Sequence, residues 1–248
     1  DEMAFAVRAF YKDIFDYPSL VRRGSADNNV YRNLDYASSR GFDLTLSRAP
    51  VDNFSLSVTY SYQIAKGRSS NTLAALFEPQ FQLPRETRLD WDQNHTANVF
   101  ATYRVGPREE GNFFGLPFVN NYGISFTWSF GSGVPFTPYR GRETVRNAYL
   151  KNNETAPYTS TVNLSFFKGF RLTESINLSA TFDITNLFNR RNVIAGSIFT
   201  LTQRPPQYGD YDPDTKEIYN WADTEKRIDP ILFDAPRQII LGLKLNWD

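Results

Sequence analysis

The stretch NNYGISFTWSFGSGVPFTP, residues 120–138, decides the fold because two kinds of side chain alternate along it. An apolar residue stands at every second position from Tyr122 to Phe130, and Gly, Ser or Thr fills the positions between. Successive side chains of a β-strand point to opposite faces, so this period of two predicts a strand with one apolar and one polar face. The apolar face meets either a dry protein core or a lipid bilayer, and this choice decides the function.

Composition fits strands that are apolar on one face only. Aromatic residues make up 16% of the 248 residues, yet the mean hydropathy is −0.46. Lys plus Arg and Asp plus Glu both number 27, so no net charge attracts a nucleic acid and we expect no such partner. The chain has no cysteine, which excludes disulfides and thiolate metal sites within it.

No segment has the run of about 18 apolar residues that a transmembrane helix needs. A bilayer is then crossed only by a closed barrel of strands. The N-terminal stretch DEMAFAVRAFYKDIF lacks the basic start, apolar run and cleavage site of a signal peptide. It reads as the middle of a strand, so we expect the chain to be a portion of a longer polypeptide.

Alternation predicts about eight strands, several as long as the roughly 9 to 11 residues that cross a membrane. Their expected bounds are Ala4–Asp13, Tyr31–Ser47, Phe54–Ala65, His95–Val105, Tyr122–Gly131, Thr159–Lys168, Ile176–Leu187 and Arg237–Trp247.

Short and long connections alternate between these strands. Residues 48–53 and 169–175 form tight turns, whereas residues 15–30, 66–94, 133–158 and 189–236 form long polar loops. Residues 106–121 are longer than a minimal turn but occupy a short-turn position. Outer-membrane barrels have short periplasmic turns and long extracellular loops, so the pattern favours a transmembrane antiparallel β-barrel with its long loops outside the cell.

The small size of the polar side chains predicts a wide barrel. An eight-stranded barrel is filled by its own side chains, and Ser, Thr and Gly would leave voids there. We therefore expect about eight strands that form one arc of a larger barrel. A soluble β-sandwich is the alternative, but it would carry more charge on its exposed strand faces. Arg40 is an exception on the apolar parity of Phe42 and Leu44, unless a bulge intervenes.

The apolar parity gives a set of residues that we expect to face lipid, with Tyr60, Tyr62, Tyr103, Trp128 and Trp247 in aromatic belts near the strand ends. The lipid-facing set is Tyr122, Ile124, Phe126, Trp128, Phe130, Leu56, Val58, Leu178, Phe182, Leu241 and Leu243.

Residues suited to catalysis or metal binding are few. His95 is the only histidine, and no nucleophile-elbow motif is present, so we predict no catalytic residue and no cofactor. Asp210, Asp212, Asp214 and Glu217 resemble a calcium loop but lack its glycine and its last acidic residue. A hairpin around DPDTK is favoured there over a metal site.

Five stretches of the chain carry recognisable motifs. They are DITNLFNRRNV (residues 183–193), YRNLDYASSRGFDLTLSRAP (31–50), DWDQNHTANVFATYRV (90–105), SGVPFTP (132–138) and the closing strand PRQIILGLKLNWD (236–248). Their order spans nearly the whole chain. These stretches resemble the barrel of TonB-dependent outer-membrane receptors, and SGVPFTPYRG resembles the Oar-like or SusC-like members.

The resemblance implies a 22-stranded barrel closed by a plug, which imports a scarce nutrient with energy from TonB. Residues 1–248 would be the C-terminal part of the barrel domain, with no plug and no TonB box in this chain. The implied partners are outer-membrane lipid and lipopolysaccharide, the remaining strands and plug of the same receptor, TonB through that plug, and a surface lipoprotein or other complex subunits. The chain ends in Asp248 rather than in the aromatic residue usual for the family.

In this family, ligands meet the plug and the extracellular loops, so the loops supply candidate ligand contacts. They are Arg140, Arg142, Arg146, Tyr208, Tyr211, Tyr219 and Trp221. An equally good interpretation is that these residues pack one loop against another and contact no ligand. Two other functions stay open: a structural barrel subunit of an outer-membrane complex without uptake, and a stand-alone small barrel that serves as an anchor or adhesin.

Overall fold

The computed structural model describes residues 2–22, 29–68, 86–109, 111–113, 116–137, 151–194 and 233–247. These residues form strands, turns and irregular segments, and none of them lies in a helix. Within this part of the chain there is therefore no helix of the length and apolarity needed to span a membrane. The strands are β1 Met3–Arg22, β2 Asn29–Val51, β3 Phe54–Gly67, β4 Thr87–Arg88, β5 His95–Val105, β6 Gly111–Phe113, β7 Leu116–Val119, β8 Tyr122–Gly131, β9 Pro135–Phe136, β10 Glu154–Thr155, β11 Thr159–Arg171, β12 Ile176–Thr185 and β13 Gln238–Trp247.

Eight long strands form one antiparallel sheet in which each strand pairs with the next along the chain. The order is β1-β2-β3-β5-β8-β11-β12-β13, and the short β4 adds to the end of β3. β6 with β7 and β9 with β10 form two separate small sheets. The all-β antiparallel architecture is confirmed. In the described residues β1 and β13 are the two edges of the sheet, which does not close on itself.

The predicted strand bounds are confirmed for β5 and β8, and most others differ by a few residues. β12 ends at Thr185 rather than at Leu187, because Asn186 adopts a left-handed conformation with φ of 54°. Asn enters this region more readily than other residues with a Cβ, and a left-handed residue cannot continue an extended strand.

The predicted loop over residues 15–30 is wrong, since β1 runs to Arg22 and β2 begins at Asn29. Two features explain why the extension of β1 beyond Asp13 was not predicted. Asp16 has φ of 57°, and the β1–β2 register shifts on either side of Tyr17, so a bulge interrupts the alternation. Pro18 usually argues against a strand, but it lies directly at this register shift, and proline is tolerated at a bulge.

Tight turns join the strands at one end of the sheet, which we call the short-turn rim. Asp52 and Asn53 connect β2 to β3 with φ of 51° and 66°, the left-handed pair that a two-residue hairpin turn requires. Leu172 to Ser175 connect β11 to β12, where the Thr173 hydroxyl accepts hydrogen bonds from the backbone of Ser175 and Ile176. The long connections lie at the opposite end, which we call the long-loop rim.

Register places apolar residues of all eight long strands on one surface, which we call the apolar face. Directly paired residues of antiparallel strands point to the same side. Phe126 pairs with Ala101 of β5 and Leu164 of β11, and Ala101 in turn pairs with Leu56 of β3. The same parity continues to the edges, with Val7 opposite Leu44 and Leu241 opposite Phe182.

Small polar residues occupy the other surface, which we call the polar face. Thr127 pairs with Asn163, and Ser125 pairs with both Thr102 and Ser165. Gly123 also lies on this face, where a Cβ would overlap the ring of Phe167. The sheet therefore has one continuous apolar side and one polar side. Few of the described apolar residues are buried, and the described residues form no second layer over the sheet.

Candidate functional site

All eleven residues predicted to face lipid lie on the apolar face. Leu56, Val58, Leu178 and Phe182 share it with the β8 residues through the strand pairs described above. Leu241 and Leu243 are each 77% exposed on the edge strand β13. Tyr122 differs from the rest, since it is only 1% exposed. A side chain covered to that extent offers no surface to lipid, so we remove Tyr122 from the lipid-facing set.

Arg40 also lies on the apolar face, where it pairs with Tyr11 and Ile64. The β2–β3 register shifts only between Arg48 and Val51, so no bulge turns Arg40 to the other side. Its side chain is exposed near the long-loop rim. This position allows the guanidinium to extend past the apolar residues toward water.

Aromatic rings form a girdle on the apolar face beside the long-loop rim. The Phe42 ring centroid lies 5.6 Å from that of Tyr62, and Tyr62 lies 5.1 Å from His95. The Tyr60 hydroxyl and Nδ1 of His95 form a 2.8 Å hydrogen bond. Further along the rim, the rings of Trp128, Phe130 and Tyr158 follow one another at 5.9 Å and 5.8 Å. The sequence-based belt is thus assembled across several strands, and His95 has a structural role within it.

A second aromatic group lies near the short-turn rim. The rings of Tyr103 and Tyr122 are 6.0 Å apart, and Phe54 pairs directly with Tyr103. From Phe54 to Tyr62 along β3, eight residue steps at about 3.4 Å give about 27 Å. A tilt of roughly 40° lowers that height to about 21 Å, close to the roughly 25 Å apolar band of outer-membrane barrels.

Hydrogen bonds join side chains of neighbouring strands on the polar face. The Ser61 hydroxyl donates to Asp43 at 2.7 Å, and the Ser165 hydroxyl donates to Asp183. Arg104 lies over the Phe167 ring at 5.3 Å. The two strand pairs β2–β3 and β11–β12 are thus joined by side-chain as well as backbone hydrogen bonds on this face.

A buried ion pair stabilises the long-loop rim. Asp92 is 1% exposed and accepts a 2.8 Å hydrogen bond from Nε of Arg88 and a 2.7 Å bond from the backbone of Ala65. Arg88 also donates to the hydroxyl of Thr155 at 2.8 Å. Asn152 donates to the carbonyl of Arg88 at 2.7 Å. These bonds connect the loop before β5 to the loop before β11.

The motif DITNLFNRRNV forms a second set of rim contacts. Asn186 donates to the carbonyls of Arg190 and Ala235 at 2.9 and 3.1 Å, so it joins the two ends of the last long loop. The Arg190 guanidinium stacks over the Tyr158 ring at 3.9 Å. Asn192 accepts a 2.9 Å bond from the backbone of Ser160 and donates to the Thr161 hydroxyl at 2.9 Å. The motif thus has a structural role at the point where the loop leaves the sheet.

Replacement of Asn192 by Ala is expected to destabilise this rim by about 1 to 3 kcal/mol, because Asn192 is 3% exposed and its loss leaves the partly buried backbone N–H of Ser160 without its acceptor. Urea titration of the native polypeptide in detergent, followed by tryptophan fluorescence, measures the loss. Asn98→Ala is the matched control, because Asn98 is exposed on the polar face and should change stability by no more than about 0.5 kcal/mol. Equal losses in the two variants would contradict the role assigned to Asn192.

The seven predicted ligand-contact residues lie outside the described residues, as do the predicted DPDTK hairpin and its calcium alternative. The described residues contain no group of three or more His, Asp and Glu side chains close enough to hold a metal ion. Sequence reasoning missed Asp92, Asn152 and Asn192, which form the rim contacts. Their signal was weak, because isolated Asp and Asn residues between strands equally predict turns.

Comparison with known proteins identifies the architecture. Residues 1–187 match the family model described as TonB dependent receptor-like, beta-barrel. This chain belongs to the TonB-dependent receptor-like β-barrel family. Membership of this family implies the bacterial outer membrane, and it confirms the resemblance stated from the motifs. None of the curated proteins matches the sequence.

Solved TonB-dependent receptors share the fold. The ferric-catecholate import receptor Fiu of E. coli K12 is 10% identical with a TM-score of 0.52, and the alignment covers 99% of this chain and 25% of Fiu. FpvA of P. aeruginosa, solved with heterologous pyoverdines bound, is 11% identical with a TM-score of 0.53, with the same 99% and 25% coverage. The chain thus spans about a quarter of the length of each receptor.

Proposed function

We propose that residues 1–248 are the C-terminal part of the barrel domain of a TonB-dependent receptor that binds and imports a nutrient across the outer membrane. The observation that carries this proposal is the single apolar face over eight antiparallel strands, with aromatic rings near both rims. A lipid bilayer is the environment that matches an exposed apolar band with aromatic borders. The family match supports the same conclusion.

The apolar face is proposed to contact lipid, with the lipopolysaccharide leaflet at the long-loop rim. Ten of the eleven predicted residues remain in this set after the removal of Tyr122, which is buried. The polar face then lines a wide lumen, where its Ser, Thr and Asn side chains meet water and the plug. The edges β1 and β13 pair with the remaining strands of the barrel, since unpaired strand edges are not stable in lipid.

The remaining partners follow from the same proposal. TonB acts through a plug encoded elsewhere in the polypeptide, and a surface lipoprotein or other complex subunit covers the long loops. Arg140, Arg142 and Arg146, together with Tyr208, Tyr211, Tyr219 and Trp221, are proposed to contact the imported ligand.

The test of uptake is growth of the source bacterium on limiting nutrients after deletion of the encoding gene. We expect a growth defect that the wild-type gene restores and that the variant Arg140→Ala, Arg142→Ala, Arg146→Ala does not. Arg108→Ala is the control, because Arg108 is exposed at the short-turn rim. Normal growth of the deletion strain on every nutrient would contradict import and favour a structural subunit.

The size of the native polypeptide tests the proposed arc. Mass spectrometry of the intact outer-membrane protein should give a mass far above 28.5 kDa. Residues 1–248 alone should fail to form a heat-modifiable, protease-resistant monomer in detergent. A stable monomer of that size would instead indicate a stand-alone small barrel.

A further inference from the structure

The two long connections on either side of β5 and β8 each contain a short β-pairing, which we call a stem. In the β3–β5 connection, β4 pairs back onto the end of β3, with Thr87 opposite Gly67 and Arg88 opposite Lys66. We call this pairing, with the residues up to β5, the first stem. In the β8–β11 connection, β9 pairs with β10 to form the second stem. Each stem holds the two ends of its own connection together.

The first stem packs against the polar face. Leu89 is buried in a small cluster with Ala37 of β2 and Ala65 of β3, and Ala65 shares the parity of Ser61 on that face. The Leu89 N–H donates to the carbonyl of Ala65 at 3.2 Å, and the Ala65 N–H donates to Asp92 at 2.7 Å. These contacts fix the residues that follow β4 onto two strands of the sheet.

The second stem is also closely packed. The Ala156 N–H donates to the carbonyl of Val134 at 2.9 Å, and a Cβ on Gly133 would overlap the Ala156 carbonyl. The Thr137 hydroxyl accepts a 3.1 Å bond from the N–H of Asn152. Glycine at position 133 thus allows the close approach of the two sides, and the bond to Thr137 closes the stem at its far end.

Asn152 and Arg88 join the two stems. Nδ2 of Asn152 donates to the Arg88 carbonyl and to Oδ1 of Asp90, at 2.7 Å each, so both of its hydrogens are directed to the first stem. From the other side, Nη1 of Arg88 donates to the Thr155 hydroxyl of β10 at 2.8 Å. Asn152 is 4% exposed, so a stem that opened alone would leave a buried amide without its partners.

We propose that the two stems form one cooperative unit across the long-loop ends of β5 and β8, so that opening of either stem opens the other. Energetic coupling between two sites is reciprocal, so a change in each stem must be seen in the other. The β8–β11 connection carries Arg140, Arg142 and Arg146. A ligand that shifts the second stem therefore also shifts the first, a consequence that rests on the proposed ligand contacts, whereas the cooperative unit does not.

Hydrogen exchange of the complete native polypeptide in detergent micelles, resolved to single amides by mass spectrometry, tests the coupling in both directions. Asn152→Ala removes the cross-link from the second stem, and its reporters are the N–H groups of Ala65 and Leu89 in the first stem. Asp92→Asn disrupts the first stem, and its reporter is the N–H of Ala156 in the second stem.

We expect the N–H groups of both stems to share one protection factor in the wild type, lower than that of Ala101 in the middle of β5, because a cooperative unit opens as a whole before the sheet does. Each variant should lower protection in the other stem about tenfold, the effect of losing roughly one buried hydrogen bond. Asn192→Ala is the matched control, because this buried Asn of the same rim bonds to Ser160 of β11. It should leave Ala65 and Ala156 at wild-type protection.

Loss of protection confined to the substituted stem would overturn the proposal, because the stems would then open independently. Wild-type protection equal to that of Ala101 would also overturn it, because the opening would belong to the whole sheet. Arg88→Lys is a second variant, which keeps a charge beside Asp92 but lacks the fork that reaches Thr155, so it should also lower the protection of Ala156. Uptake does not enter these measurements, so independent stems would leave the proposed import function standing.

Discussion

Asp92→Asn is expected to lower the free energy of unfolding by about 3 kcal/mol, the lower part of the range for breaking a buried ion pair. Asp92 is 1% exposed and the Arg88 side chain is 27% exposed, so the guanidinium that loses its partner is only partly buried. The new amide would also present a donor where Ala65, Arg88 and Asn94 already donate. Urea titration of the native polypeptide in detergent micelles measures the change.

Asp52→Asn is the matched control for this prediction. Asp52 is 89% exposed and lies 3.9 Å from Arg48, so its ion pair is weak and the substitution should cost at most about 1 kcal/mol. Asn also tolerates the left-handed backbone found at position 52. Because Arg88 and Asp92 act as a pair, Asp92→Asn should cost less in an Arg88→Gln background than in the wild type. Additive losses would show that the two side chains do not stabilise the rim together.

Phe126→Arg is expected to destabilise the barrel by about 2 to 4 kcal/mol, because it places a charge at the middle of the proposed lipid-facing band. Phe126 lies at the centre of β8, between Ala101 and Leu164 on the apolar face. The free energy of unfolding in phospholipid vesicles, or the yield of heat-modifiable protein in the outer membrane, measures the effect.

Thr127→Arg tests the opposite face at the same height. Thr127 lies next to Phe126 but pairs with Phe100 and Asn163 on the polar face. In a wide lumen the new side chain reaches water, so the change should stay within about 0.5 kcal/mol. Equal damage from both substitutions would indicate a filled interior or a soluble core, and it would contradict the wide barrel.

The sequence predicts the strands well where alternation is uninterrupted. The bounds of β5 and β8 agree with prediction to the residue, because apolar residues recur at every second position from Ala97 to Val105 and from Tyr122 to Phe130. Prediction fails where a bulge breaks the period, as it does beyond Asp13 in β1. It also misses β4, β9 and β10, which are two-residue pairings that depend on where distant loops meet.

The rim contacts could not be predicted from the sequence, because they too depend on where distant loops meet. Asn152 and Arg88 are 64 residues apart, and they meet only because β5, β8 and β11 are neighbours in the sheet. Their residue types do not distinguish a buried hydrogen bond from an exposed turn. The prediction for Tyr122 failed in another way. Alternation placed it on the correct face of the sheet, but it did not show that other residues cover its side chain, because that depends on tertiary contacts.

By itself, the sequence determined the fold class and, where no bulge intervenes, the face to which a strand residue points, because a period of two fixes the side of each residue locally. The tertiary structure decided which of those residues are covered, which strand ends are bonded together and where the aromatic rings meet. Such features depend on contacts between residues far apart in the sequence, such as Asn152 with Arg88 and Asn186 with Ala235, which no local pattern specifies.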